Sequence, residues 1–355
     1  MSVHKLSHIF LIYSGALGLG VVANWMGFPL PWMIGAMVFA SGVRLADRPV
    51  EIPVQTRQIG QVLVASSVGL SFTPDALTAM GSLIIPMLAA AILTIAIGFL
   101  VGAALMRMSR VDVVTAVLAS IPMGPVESAV LAARHGVAPG PVVFSQTLRI
   151  ISLVILIPPA IVAIDGSIED PVAVLSRTPW SVSGALLLVA FGLAGAMLAR
   201  SVKLANPFFV GSLGGAALAA SLTLPITAYP YPVLVLAQVF LGVWLGAVFD
   251  RELLGRAGTF IPGAVASSLL LIALCVAMGL GLSWLTGTPW AVMVLSTAPG
   301  SVTEMALTAK LLQEGLAIVT AFHLVRIFII LPSAASIIGL TAHLAERWGL
   351  SPRAK

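Results

Sequence analysis

Apolar runs follow one another along the chain at 9–25, 29–46, 56–72, 80–106 and 140–163, and again at 181–199, 206–223, 231–249, 258–285 and 316–340. Each is close to the roughly 20 apolar residues that a helix needs to cross a hydrocarbon core about 30 Å thick. Two stretches break the pattern. Segments 111–135 and 289–313 carry shorter apolar arms on either side of a tip rich in Pro and Gly. The arm 111–121 has about 11 residues and reaches about 16 Å as a helix, half of the core. Two readings fit this length: a re-entrant hairpin with its tip near the midplane, or one crossing helix broken in the middle.

The two sets of runs are copies of one unit. QVLVASSVGLSFTPDAL from residue 61 falls on QVFLGVWLGAVFDRELL from residue 238, a shift of 177 that pairs Gln61 with Gln238, Gly69 with Gly246, Phe72 with Phe249 and Leu77 with Leu254. The same shift lays PMGPVESAVLAA from 122 on PGSVTEMALTAK from 299, and it pairs Pro122 with Pro299, Glu127 with Glu304, Gln146 with His323 and Arg149 with Arg326. PWMIG at 31–35 matches PFFVG at 207–211 with a shift of 176.

Lys and Arg mark the cytoplasmic loops of membrane proteins. With Lys5 inside, Arg44, Arg48, Arg57, Arg107 and Arg110 also fall inside. If the broken segment returns to its own side, Arg134 stays inside and the acidic Asp165, Glu169 and Asp170 face out. Arg200, Lys203, Arg251, Arg256, Arg347, Arg353 and Lys355 then fall inside as well, and Lys310 falls on the outer side as the second hairpin's one misplaced basic residue. A broken helix that crossed completely would put Arg200, Lys203, Arg251 and Arg256 outside, so the re-entrant form is preferred. The expected fold is an all-α membrane protein of two inverted repeats, 1–170 and 171–355, each of about five transmembrane helices plus one re-entrant or broken helical hairpin. The expected location is the bacterial inner membrane, with both termini cytoplasmic and 165–177 periplasmic.

Composition agrees and excludes other classes. Only 9% of residues are charged and 59% are hydrophobic, with a mean hydropathy of +1.09, against roughly a quarter charged in soluble domains. The net charge of +5 comes from cations scattered between apolar runs, without the clustered basic face a nucleic-acid binder needs. One cysteine, Cys275, leaves no disulfide framework and no thiolate cluster. The five histidines, His4, His8, His135, His323 and His343, are spread too widely in the expected topology to form a ligand set. No metal, cofactor or enzymatic activity is expected. Trp25, Trp32, Trp180 and Trp290 stand at span ends, where an aromatic belt belongs.

The candidate chemistry lies at the two tips. A Pro-Gly interruption leaves backbone groups unpaired, which inside a membrane is tolerated only where protein or a water-filled cavity surrounds them. Half-helices beginning near Glu127 and Glu304 would present N–H groups to an anion, while carbonyls of the preceding arms could coordinate a cation. Pro122, Gly124, Pro299, Gly300, Ser301 and Thr303 form this backbone set. Glu127 and Glu304 are candidate carriers of a coupled proton, and Arg149 and Arg326 lie at membrane depth, where a charge costs several kcal/mol. A plainer reading has each Glu neutralising the Arg of its own copy. Gln146 and His323, three residues before the arginines, share their helix faces and could line a polar cavity.

With both hairpins, both arginines and the P-x-x-x-G helix starts in view, the chain resembles the AbrB family of duplicated bacterial membrane proteins over residues from about 10 to 345. Members of that family carry labels such as ammonia monooxygenase or AbrB transcriptional regulator. The first implies a copper-type ligand set that these histidines do not form. The second implies a DNA-binding module, which is not found, so any regulation would be indirect. The leading expectation is a secondary transporter of a small anionic metabolite, coupled to a proton or sodium gradient and acting as a homodimer in the lipid bilayer. The alternative is a membrane-embedded sensor that affects gene expression indirectly.

Overall fold

The computed structural model describes residues 3–28, 30–48, 50, 52–165, 179–204, 206–248 and 260–347. The expectations for Glu169, Asp170 and the rest of 166–178, for the boundary between 170 and 171, for Phe249, Arg251, Leu254 and Arg256, and for Arg353 and Lys355 lie outside these residues.

Among the described residues every regular element is a helix. The first half of the chain holds α1 (Val3–Trp25), α2 (Pro31–Leu45), α3 (Val54–Gly69), α4 (Pro74–Ser82), α5 (Ile84–Ser109), α6 (Val113–Ser120), α7 (Pro125–Arg134) and α8 (Pro139–Asp165). The second holds α9 (Val182–Ser201), α10 (Pro207–Ser221), α11 (Tyr231–Gly246), α12 (Phe260–Thr286), α13 (Trp290–Thr297), α14 (Val302–Leu311) and α15 (Leu316–Arg347). Local chemistry sets several boundaries. Pro31 and Pro207 open α2 and α10, where the missing N–H costs nothing. Asp112 caps α6 by accepting from the Thr115 N–H at 2.8 Å. The short α4, between the expected runs, is the one helix that apolar patterning did not indicate.

Six helices, α1, α5, α8, α9, α12 and α15, contain stretches long and apolar enough to cross a membrane, and the protein is a multi-pass membrane protein. Their outward residues are apolar, as lipid contact requires. Phe10 is 71% exposed, Ile85 75% and Leu285 70%, while Trp25 and Trp284 stand exposed near the ends of α1 and α12. The helices α2, α10 and α11 have 15, 15 and 16 residues and are apolar but shorter. Lengths recur in order along the chain: α3 and α11 both have 16 residues, α6 and α13 both 8, and α7 and α14 both 10.

The chain forms two compact units, and each draws on both halves of the sequence. The first comprises Met1–Ser82, Ile155–Arg251 and Ala306–Ile318. Within it α1 packs on α2 and α9 on α10; α2 packs on α11 and α3 on α10; α1 meets α11 and α9 meets α3. Exchanging each helix for its partner 176 or 177 residues away turns every one of these contacts into another of them. Glycine permits the close crossings. A Cβ on Gly211 would strike the backbone of Gly195, and one on Gly246 would strike the Met37 carbonyl. Polar ties are few and internal. Gln61 donates to the Asn206 side chain at 3.1 Å. Trp32 donates to the Tyr231 hydroxyl at 2.7 Å, so this tryptophan joins helices and does not serve only as a belt residue. The Lys310 ammonium donates to the Ser67 carbonyl at 3.2 Å and to the Ser67 hydroxyl. Lys310, which the loop count put on the outer side, is thus tied to α3.

The second unit comprises Leu83–Val154, Glu252–Met305 and Val319–Lys355. Here α5 packs on α12, α6 on α5 and α13 on α12. An apolar cluster joins Val117, Leu118 and Ile121 at α6 to Ala132 of α7, Val142 of α8, and Ile330, Ala334 and Ile338 of α15. The broken stretches 111–135 and 289–313 are helix pairs, α6–α7 and α13–α14, joined by extended tips.

Candidate functional site

A helix ends with carbonyls that have no partner of its own, and at membrane depth each must find one within the protein. The ends of α6 and α13 show how this sequence meets that demand. Gln146 of α8 donates through Nε2 to the carbonyls of Leu118 at 2.6 Å and Ile121 at 2.9 Å, and the Ser145 hydroxyl donates to Ala119 at 3.3 Å. One turn on, Arg149 donates through Nη2 to the Met123 carbonyl at 3.4 Å. The second pair repeats the pattern 177 residues later. His323 of α15 donates through Nε2 to the Leu295 carbonyl at 2.9 Å. Arg326 donates through Nη1 to Ala298 at 2.6 Å and through Nη2 to Gly300.

The Gln/His and Arg positions, three apart on one helix face, are thus the partners of the interrupted backbone. The arm and tip carbonyls of Leu118, Ile121, Met123, Leu295, Ala298 and Gly300 accept from Gln146, Arg149, His323 and Arg326. Desolvated arginine remains charged and carries enough donors to serve two carbonyls at once, which suits it to this role better than lysine.

All the candidate residues named from the sequence fall within the second unit. Arg149 is 2% exposed and Arg326 5%, with Gln146 and His323 fully buried. Pro122, Pro299 and Gly300 are buried on the tips, Gly124 and Ser301 are partly covered, and Thr303 and Glu304 are buried. The two guanidinium groups are near enough to interact electrostatically, so α8 and α15 bring their cations towards a common region. Cys275, buried on α12, lies within the same electrostatic range.

The two glutamates occupy the first turns of α7 and α14. Glu127 turns back over Gly124, the residue that caps α7; a Cβ on Gly124 would strike its carboxylate. Ser301-Val302-Thr303-Glu304 has the spacing of a capping box, and the Ser301 hydroxyl accepts from the Thr303 N–H at 3.3 Å. That signature is legible in the sequence for Glu304; the first copy has Gly124 at the equivalent position and lacks it. The Lys310–Ser67 tie was not legible, because the two residues are separated by 243 positions. Among the described residues no group of three or more His, Cys, Asp or Glu is placed to hold a metal ion.

Comparison with known proteins agrees with this architecture in extent. Residues 32–342 match the family described as transition state regulatory protein AbrB. An uncharacterised protein of Bacillus subtilis (strain 168), YhjN, is 24% identical over 96% of this chain and 94% of its own length. A proposed regulator, AbrB, of Escherichia coli (strain K12) is 24% identical over 92% of this chain and 93% of its own.

Proposed function

The chain belongs to the AbrB family, and we propose that it is a secondary transporter of a small anionic metabolite. The observation that carries this reading is the pair of helices broken at Pro-Gly tips, each backed by a buried arginine from the helix that follows. Discontinuous helices in matching positions of two halves are the recurrent binding element of secondary transporters. Two buried cations in one unit favour an anionic cargo.

In this reading the halves 1–170 and 171–355 are inverted repeats in the inner membrane, each with five spans and one re-entrant hairpin, and both termini are cytoplasmic. The exchange of equivalent helix contacts supports a two-fold relation between them. Their inversion rests on the basic-loop count. The second unit, which holds the first hairpin and both Pro-Gly tips, is the part that moves in this reading, and the first, tightly crossed at glycines, is the scaffold of a homodimer. With arginines already bonded to the tip carbonyls, a carboxylate, Glu304 foremost, is the favoured carrier of the coupled ion, as a proton.

Proteoliposome uptake of a panel of carboxylates under imposed proton or sodium gradients tests the proposal. Gradient-driven accumulation of an anion is the expected result. A reconstituted, folded protein that moves none of them under either gradient would overturn it. The second reading, a membrane-embedded regulator that acts on gene expression without transport, would then stand, favoured by the description of the matched family and the name of the Escherichia coli relative.

A further inference from the structure

The two arginines are equivalent in sequence but not in bonding. Arg326 commits both terminal nitrogens to the carbonyls of Ala298 and Gly300. Arg149 makes one long bond, from Nη2 to Met123, and its Nε and Nη1 are buried without a hydrogen-bond partner. A guanidinium 2% exposed with two of its nitrogens unmatched is costly to leave so, because buried charge requires both pairing and hydrogen bonding. The acid of the same hairpin, Glu127, has its carboxylate over Gly124.

Other buried groups beside Arg149 are also unmatched, and they are of the complementary kind. Gln146, one turn earlier on α8, uses its amide N–H groups on Leu118 and Ile121, which leaves Oε1 as a buried acceptor without a donor. The Ser120 hydroxyl, on the stretch between those two carbonyls, likewise has no partner. Behind the first broken helix, α8 therefore carries a cation with unused donors and, one turn earlier on the same helix, an amide oxygen that needs a donor.

We propose that Arg149 is the anchor of a substrate site that takes a small carboxylate bearing a hydroxyl or amino group: the carboxylate on Nε and Nη1 of Arg149, and the second group's hydrogen on Oε1 of Gln146. A charge-assisted bond to guanidinium is among the strongest available to a carboxylate. A site built to accept a substrate O–H or N–H rejects the analogue that lacks it, since its own acceptor is then left unpaired. Arg326 is the saturated counterpart with a structural role. The proposal rests on the reading of this unit as the substrate-carrying part of a transporter, and it commits that reading to the first of the two hairpins.

The test uses the full chain in mild detergent and in proteoliposomes, with three probe pairs at constant ionic strength: lactate against propionate, malate against succinate, and alanine against propionate. At least one hydroxy- or amino-carboxylate should raise the thermal unfolding temperature, with at least ten-fold tighter half-saturation than its unsubstituted partner. Arg149→Gln should abolish the shift, Arg149→Lys should weaken it ten-fold or more, and Gln146→Leu should bring the two members of the pair level. The lysine and leucine variants keep the test decisive if Arg149→Gln does not fold. An undiminished shift in Arg149→Lys and Gln146→Leu, or no shift in the wild type with any probe, overturns the site. Binding with these signatures but no flux in proteoliposomes upholds the site and sinks transport. Flux of a probe that survives Arg149→Lys unchanged does the reverse.

Discussion

Arg326 donates to the carbonyl of Gly300, on the tip between α13 and α14, from a side chain three residues beyond the His323 that ties the same broken helix at Leu295. The arginine thereby stands in for the next turn of α13, which the proline at 299 prevents. Arg149 holds the same relation to Met123. Side chains of one helix thus take the place of the hydrogen-bond ladder of another where it is interrupted.

Arg326→Met should therefore cost more than the loss of a surface charge. It leaves the Ala298 and Gly300 carbonyls buried and unmatched, at about 1–3 kcal/mol each. We expect a lowered unfolding temperature in detergent and cleavage of the 298–301 segment by a broad protease. If Arg326→Met melts with the wild type and resists cleavage, the arginine does not support the tip.

Much of this was legible from spacing. The apolar runs give the helices to within a few residues, and the 177-residue shift pairs Arg149 with Arg326 and Gln146 with His323 before any contact is known. Their partners could not be read, because a carbonyl has no letter in the sequence. The spacing that suggests a proton carrier at Glu304 also marks a helix cap with Ser301. A loop count treats every lysine as solvated, whereas Lys310 is bonded to Ser67. The grouping of elements into units that cross the two halves follows from side-chain packing between α2 and α11 and between α3 and α10, and no linear feature records it.

Two adjacent glycines in α10 separate packing from propensity. A Cβ on Gly215 would strike the Phe191 carbonyl, whereas one on Gly214 meets nothing within 4 Å. Gly215→Ala should destabilise by about 1–3 kcal/mol through overpacking. Gly214→Ala should be neutral or stabilise by up to about 1 kcal/mol, since glycine is the poorer helix former. Thermal unfolding of the two variants side by side decides it; equal effects would mean that the α9–α10 crossing is not close-packed.

Glu314, in the loop between α14 and α15, has its carboxyl raised above the ordinary value of 4.5, first by burial and then by repulsion from Asp165. The folded form therefore binds this proton more tightly than the unfolded chain does. The stabilisation is complete below the unfolded value and is lost as pH rises through the raised one. Glu314→Gln should raise the unfolding temperature slightly at pH 7 and leave it unchanged at pH 4. A larger gain at pH 4 than at pH 7 would reverse the sign and refute the assignment.

The inverted arrangement predicts which side of the membrane each loop meets. A cysteine at Ser167 should react with an impermeant maleimide added to intact spheroplasts, and a cysteine at Ser2 should react only after the membrane is opened. Cys275 is buried and should give little background. Labelling of Ser167→Cys solely from the cytoplasmic face would replace the inverted repeat with a parallel one.

Glu127 and Glu304 should not be interchangeable. Both open a half-helix, but their surroundings differ. Glu127 is partly exposed and folded on Gly124, whereas Glu304 is 7% exposed beside Thr303, whose hydroxyl is buried without a hydrogen-bond partner. A carboxylate in the drier place changes its protonation more readily as its access to water changes, which is what a coupled proton carrier needs. A glutamine can serve as well as a glutamate in a capping box, so a Gln substitution removes the titration and leaves the cap. Glu304→Gln is accordingly expected to keep the wild-type unfolding temperature and lose accumulation against a gradient, while exchange of substrate at equal concentrations persists. Glu127→Gln should keep gradient-driven uptake and, at most, melt at a lower temperature. Wild-type accumulation and pH dependence in a folded Glu304→Gln protein would leave this carboxylate with its capping role alone, and the proton would have to be sought elsewhere in the second unit.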